Sequence, residues 1–323
     1  MDAVYAKIAE DTVKFNLGDE EVWRQLFEPL YKEPSSDVTV LRDERYGPAE
    51  RNRLDVFFSR KGIKDPSKPV LVFVHGGGFF SGDKAWSEKC WANIGNYFAE
   101  HGMVVVLVNH QLVPHVQYPG GADDIQLVRE WIFSNIAAEK FGRGSLDKVV
   151  LFGHSSGGAH IMSNLCAAGD PSRPAKDPLF PPVAGVILLD APFWFDREKP
   201  LRQRIIRQYY GSDAEAVWGP LCPLGLFQAL PEDSPVLDSA KLPIYVGSVK
   251  WEVKETADAN VAFFNAYRAR SKPVGTLPVF HVLDKHNHLS NVLSIGTEDE
   301  AQARMLLNFI SSCTAKKDAR VKL

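Results

Sequence analysis

The chain has 323 residues, 45% of them hydrophobic, which is enough for one large core and predicts a single domain over residues 1–323. Its 37 basic and 40 acidic side chains leave a net charge of −3 with no long basic run, so no nucleic-acid partner is expected. No stretch is apolar for long enough to span a bilayer and residues 1–7 lack the start of a secretory signal, so a cytoplasmic protein without a membrane partner is predicted.

Cys90, Cys166, Cys222 and Cys313 lie far apart and form no C-x-x-C pair, which argues against a zinc site and against a disulfide framework. The terminal Val321-Lys322-Leu323 lacks the small first residue of a peroxisomal address.

In chain order, residues 1–35 carry an amphipathic helical pattern and are a candidate cap element, an ordinary surface excursion being the alternative. Strands are predicted at 54–58 and 70–74, a helix at 86–100, a strand at 103–108, a helix at 125–138, a strand at 148–152 and a helix at 156–168. Strands at 183–189, 244–249 and 279–283 follow, with helices at 258–270 and 300–311. The uninterrupted β-branched run at 103–108 is typical of a strand buried on both faces. Alternation of this kind predicts an α/β architecture, a mostly parallel twisted sheet with helices on both faces. Residues 193–240, rich in aromatics and prolines, interrupt it and form the second candidate for a small cap. Ligands bind such sheets outside the carboxyl ends of the strands, so chemistry-bearing motifs should fall there.

Gly153-His154-Ser155-Ser156-Gly157 follows the strand at 148–152 directly and opens the next helix, the context of a nucleophile elbow. The turn is so sharp that its flanks must lack bulk, and it holds the Ser155 hydroxyl at a helix N-terminus where developing negative charge is favoured. A serine hydroxyl needs a base to take its proton. His286 and His288, in His286-Asn287-His288-Leu289 after the last strand, are the two candidates, and the residues alone do not separate them. His154 and His160, beside the elbow, read as packing groups or as supports behind the residues of the site. The His-Asn-His tripeptide has no carboxylate or cysteine partners at ligand spacing, so no metal is expected.

His75-Gly76-Gly77-Gly78-Phe79 follows the strand at 70–74, where consecutive glycines let bare N–H groups approach a substrate oxygen. A phosphate loop would need G-x-G-x-x-G opening a helix, or a Lys-Ser/Thr pair after the glycines, and neither is present. Gly77 and Gly78, with the N–H of Ser156, are therefore the expected oxyanion hole. Phe79, Phe80, Phe193, Trp194 and Phe195 lie just after predicted strand ends and are candidate substrate-binding residues for an apolar or aromatic group, with core packing the alternative for each.

Tyr46-Gly47, Arg53-Leu54-Asp55-Val56, His75 to Phe79 with Gly82-Asp83-Lys84, Gly153 to Gly158 and His286 to His288 span most of the chain. Over about residues 45–312 it resembles the hormone-sensitive-lipase-like and kynurenine-formamidase-like branch of the α/β-hydrolases. That resemblance implies no metal and no organic cofactor, and it selects His288 as the base. The branch carries its triad acid after the strand corresponding to 244–249, usually as aspartate; here Lys250-Trp251-Glu252 stands there, and alignment on Pro243 puts Glu252 at the position. Asp258 and Asp284 are the alternative acids. His110-Gln111-Leu112 also departs from the Tyr-Arg-Leu common in the branch. The expected activity is cleavage of a small-molecule carboxylic ester through an acyl-enzyme, with Ser155 as nucleophile, His288 as base and Glu252 orienting it. Kynurenine formamidase, a tailoring hydrolase or cyclase of secondary metabolism, and a ligand receptor that has kept the pocket are the alternatives. Substrate and oligomeric state are left open.

Overall fold

Eight strands form one sheet: β1 (Val38–Arg45), β2 (Arg53–Ser59), β3 (Lys68–Val74), β4 (Val104–Val108), β5 (Gly144–His154), β6 (Gly185–Leu189), β7 (Ile244–Trp251) and β8 (Val279–Asn287). Their spatial order in this computed structural model is β1-β2-β4-β3-β5-β6-β7-β8. β1 and β2 pair antiparallel, as do β2 and β4, and all other neighbours are parallel. The structure describes residues 1–14, 19–62, 64–65, 67–173, 177–196 and 198–315. The tripeptide Val321-Lys322-Leu323 lies outside the described residues.

The helices are α1 (Asp2–Asp11), α2 (Asp19–Phe27), α3 (Ala92–Glu100), α4 (Gly120–Asn135), α5 (Ser156–Leu165), α6 (Pro200–Tyr210), α7 (Glu215–Trp218), α8 (Pro223–Gln228), α9 (Lys254–Arg270), α10 (Ser290–Leu293) and α11 (Ala301–Thr314). The two-residue period of the strands sorts their side chains onto opposite faces. Val56, Val72, Val106 and Leu151 pack with α4, α5, α8 and α9, whereas Phe57, Phe73, Val105 and Phe152 pack with α1, α2, α3 and α11. Both faces are thus buried, which is why the central strands are continuous apolar runs. Among the described residues no helix is long and apolar enough to cross a membrane.

The seven predicted strands are all present, with ends displaced by a few residues. β1 was not anticipated: it is an edge strand whose residues are half-buried or exposed, so Arg42-Asp43-Glu44-Arg45 dilutes its apolar signal. The helix expected at 86–100 begins at Ala92, because Trp91 adopts a left-handed backbone (φ 69°) that ends any earlier turn. Within 193–240, α6 and α7 with their flanking loops supply Phe195, Ile205, Ile206, Tyr209, Tyr210, Trp218 and Cys222 to a third apolar cluster that also holds Phe79 and Ala159. This segment therefore lies over the glycine loop and the start of α5.

The register places the carboxyl ends of the central strands at one level. Val74 of β3 pairs with Val108 and with Gly153, His154 with Leu189, and Leu189 with Gly247. β3 and β5 are neighbours although β4 and two helices separate them in sequence, so the order reverses between them, which is where sheets of this kind bind ligands in a crevice. β7 and β8 run further, to a pair between Trp251 and Asn287, so residues 252 and 288 emerge side by side.

The described part of residues 1–35 is integral to one face of this sheet: Trp23 is 1% exposed within the cluster that holds Phe27, Phe57 and Phe98. Trp23→Ala is expected to cost about 3–5 kcal/mol, read as a lowered urea midpoint. An unchanged midpoint would show that α2 is detached from the core.

Candidate active site

The chain leaves β5 and enters α5 within two residues. Ser155 takes the left-handed φ of 51°, uncommon for a side-chain-bearing residue, and is held there by its N–H donating to Leu189 O at 2.9 Å. Gly157 is required by close approach, since a Cβ there would lie 2.1 Å from Val74 O. α5 thereby starts against the end of β3, and the N–H groups of Gly158 and Ala159 in its first turn donate back to Ser155 O at 2.9 and 3.3 Å.

His288 completes a chain of contacts. Ser155 Oγ lies 3.1 Å from His288 Nε2, and His288 Nδ1 lies 2.8 Å from Glu252 Oε1. Glu252 Oε1 accepts a second bond, from the Val253 N–H at 2.8 Å. A carboxylate can only accept, so Nδ1 carries the proton and Nε2 offers its lone pair to the serine hydroxyl. His154 Nε2 donates to the His288 carbonyl at 2.8 Å, clamping the backbone that carries the ring.

The surroundings set the protonation states. Burial lowers the His288 pKa below the ordinary histidine value, with Asp190 and Glu255 opposing the shift, so the ring is neutral near pH 7. Burial pushes the Glu252 carboxyl up, partly offset by Asp190 and by the Val253 N–H. His154, buried beside His288, is pushed down to about 3 and stays neutral.

The other candidates are elsewhere. Asp258 and Asp284 are exposed and pair with Lys254 at 3.5 Å and Lys250 at 2.9 Å, out on the surface. His286 is buried with both ring nitrogens engaged, Nδ1 with Ser290 Oγ at 3.0 Å and Nε2 with Asp299 Oδ2 at 2.9 Å. Tyr5 of α1 donates to that same Asp299 oxygen at 2.6 Å, so the first helix braces the loop that bears His288.

Gly77 has φ 127°, and a Cβ on it would lie 2.0 Å from Ser81 O, so only glycine fits. Its carbonyl is turned into the loop, accepting from the Ser81 N–H at 3.0 Å. Gly76 backs directly onto Ser155, since a Cβ there would lie 2.9 Å from the serine Cβ. At the start of the loop His75 is fully buried and stacked at 4.5 Å on His110, the first residue of the His110-Gln111-Leu112 that departs from the family's Tyr-Arg-Leu.

Of the aromatic residues expected at the rim, three are packing groups. Phe193 is fully buried and stacked on Phe263 at 4.1 Å, because the chain after β6 folds back under α9. Phe79 points away from the crevice into an edge-on contact with His160 at 4.9 Å, and Phe195 packs on Trp218 at 5.4 Å. Phe80 and Trp194 keep partial exposure. A cavity of about 530 Å³ opens between α3, β1 and residues 31–34, and none of the candidate site residues lines it.

Among the described residues, His154, Asp190 and His288 bring three metal-ligand-type atoms within 4.8 Å of one another. Both His288 nitrogens and His154 Nε2 are already engaged in hydrogen bonds, whereas His154 Nδ1 is buried without a partner among the described residues. Asp190 was not anticipated from the sequence, where it reads as the first polar residue after an apolar strand.

The sheet order, the elbow after β5 and the histidine after β8 define the α/β-hydrolase fold. Residues 54–171 match the BD-FAE family model. The chain is 34% identical over 124 residues to the isoprenylcysteine alpha-carbonyl methylesterase of Arabidopsis thaliana, an alignment that covers 38% of this chain and 27% of that protein. The chain thus spans about a quarter of the length of that relative. Esterase B from Lactobacillus rhamnosis superposes over 97% of this chain and 96% of its own, with a TM-score of 0.70 at 16% identity. An esterase of the bacterial hormone-sensitive lipase family covers 97% of both chains, with a TM-score of 0.64 at 18% identity.

If Phe193 is a core residue and not a substrate contact, Phe193→Ala should cost about 3–5 kcal/mol of stability. Thermal and urea denaturation check this; a stable variant with an altered substrate preference would return Phe193 to the pocket.

Proposed function

We propose that the protein is a serine hydrolase that cleaves a small carboxylic ester, with Ser155, His288 and Glu252 as its triad. One observation carries this reading: the unbroken hydrogen-bonded chain from Ser155 Oγ through the His288 ring to Glu252 Oε1. Similarity to a methylesterase and to esterase structures supports the choice of an ester.

As Ser155 Oγ attacks the ester carbonyl, its proton passes to His288 Nε2, and the imidazolium is stabilised by Glu252. The carbonyl oxygen gains the negative charge and is met by the N–H groups of Gly77, Gly78 and Ser156, one such donor being worth about 3–4 kcal/mol of barrier. Collapse of the tetrahedral intermediate returns the proton from His288 to the leaving alkoxide, releasing the alcohol and leaving the acyl group on Oγ. Water, deprotonated by His288, then frees the acid and restores the serine. Phe80 and Trp194 are the remaining aromatic candidates for contact with substrate. The segment 193–240 acts as a small cap over the site.

A fluorophosphonate should label wild-type protein, and Ser155→Ala should neither label nor hydrolyse p-nitrophenyl acetate. Persistent turnover in Ser155→Ala would sink this reading, and failure of the wild type to label would favour a receptor.

Glu252→Gln should lower kcat by about a hundredfold or more with little loss of stability, whereas Asp258→Asn and Asp284→Asn should stay within about twofold. A dead Asp258→Asn or Asp284→Asn would move the acid to that residue.

The base works only when neutral, and burial lowers its pKa, so the ring stays competent to lower pH than a free histidine. The acid limb of kcat/KM should therefore fall below about 6.5. A limb above that value would contradict a buried, neutral base.

A further inference from the structure

Asp190 follows β6 at a left-handed backbone position (φ 52°), fully buried, its N–H donating to Gly247 O at 2.9 Å. Its side chain faces the triad from behind: Oδ2 accepts from Asn291 Nδ2 and lies 3.9 Å from His154 Nε2. Asp190 and Glu252 stand close enough for each carboxyl group to shift the titration of the other, Asp190 upward and Glu252 downward. Asp190 Oδ1 and Glu252 Oε2 are both buried, and neither has a donor among the described residues.

Two ionised carboxylates cannot satisfy one another, because both only accept; the contact is a hydrogen bond only if one of them holds a proton. The donors decide which one does. Glu252 Oε1 receives the His288 Nδ1–H and the Val253 N–H, whereas Asp190 receives Asn291 alone. The negative charge therefore settles on Glu252. The groups around the pair do not reverse this: His154 from β5 is neutral, Tyr245 from β7 is a phenol, and Arg202 from α6 is engaged by Glu255 at 2.7 Å. Burial and the adjacent Glu252 charge hold Asp190 well above the usual carboxylate range.

Taking Ser155–His288–Glu252 as the catalytic chain, we propose that Asp190 is a positioning residue, a neutral acid whose hydroxyl donates to Glu252 Oε2 and keeps that carboxylate aimed at His288. The relay then has four members. Glu252 is held by three donors, cannot swing out of line, and stays ionised in a site whose burial would otherwise protonate it. No proton needs to leave Asp190 during turnover.

The test is the pH profile of kcat/KM for wild type, Asp190→Asn and Asp190→Ala, with active sites counted by fluorophosphonate labelling. Asparagine keeps the shape, the neutral charge and an N–H that can donate to Oε2, so its acid limb should coincide with that of wild type. Alanine leaves Oε2 without a donor, so Glu252 takes up a proton at higher pH: the acid limb should move up by about one unit and kcat fall about ten- to a hundredfold, a loss that asparagine largely rescues. If Asp190 were instead ionised, Asp190→Asn would delete a negative charge beside His288 and move the limb down; that result overturns the proposal, as does an unmoved limb in Asp190→Ala. Should the alanine variant not fold, the direction of the Asp190→Asn limb still decides. Infrared spectra of the wild type need no variant: a buried protonated acid keeps its C=O stretch at neutral pH, and its absence overturns the proposal. Loss of labelling in wild type, or turnover by Ser155→Ala, would sink the catalytic reading itself, whereas intact labelling with the wrong limb sinks only the role of Asp190.

Discussion

The arrangement at the carboxyl edge of the sheet depends on how closely the first turn of α5 approaches the end of β3. That contact exists only because position 157 has no Cβ; one would lie 2.1 Å from the Val74 carbonyl. The approach brings the elbow against the glycine loop, so Ser155 and Gly76 are back to back. It also fixes where a base must reach, and the longer pairing of β7 with β8 supplies residues at that distance.

The second constraint is dielectric. The fold takes two acids and two histidines out of water within a few ångströms, which is destabilising unless protons are shared. Burial keeps both rings neutral, and the nitrogens that make hydrogen bonds divide the work between them. His154 Nε2 holds a backbone carbonyl, while His288 meets the acid with one nitrogen and the serine with the other. The group that is most costly to bury, the Glu252 carboxylate, receives the most donors. The environment thereby sets the protonation state of His288, as is common at functional sites.

Much of this was legible in the sequence because it is local. The strand-motif-helix run around Ser155 and the strand followed by three glycines each carry their structural context within about fifteen residues, and so does the alternation that predicts the sheet. Glu252 was reachable only through family resemblance, since its meeting with His288 depends on the register of two strands separated by a long helix. Asp190 was missed for the same reason: nothing near it in sequence reveals that another buried acid lies opposite. The aromatic residues show a different limit. Being just after a strand end says that a residue is near the crevice, but not whether its side chain turns toward it; Phe193 turns under α9 and Phe79 toward α6. β1 escaped because an edge strand has little need of a continuous apolar run.

The brace from Tyr5 through Asp299 to His286 joins residues 294 apart in sequence. Contacts of that span close some of the longest loops the chain can make, so the ordering they require is spread over nearly the whole chain. The loop that carries His288 is thereby tied to the other end of the chain, so the position of that ring rests on the docking of the first helix as well as on the pairing of β7 with β8.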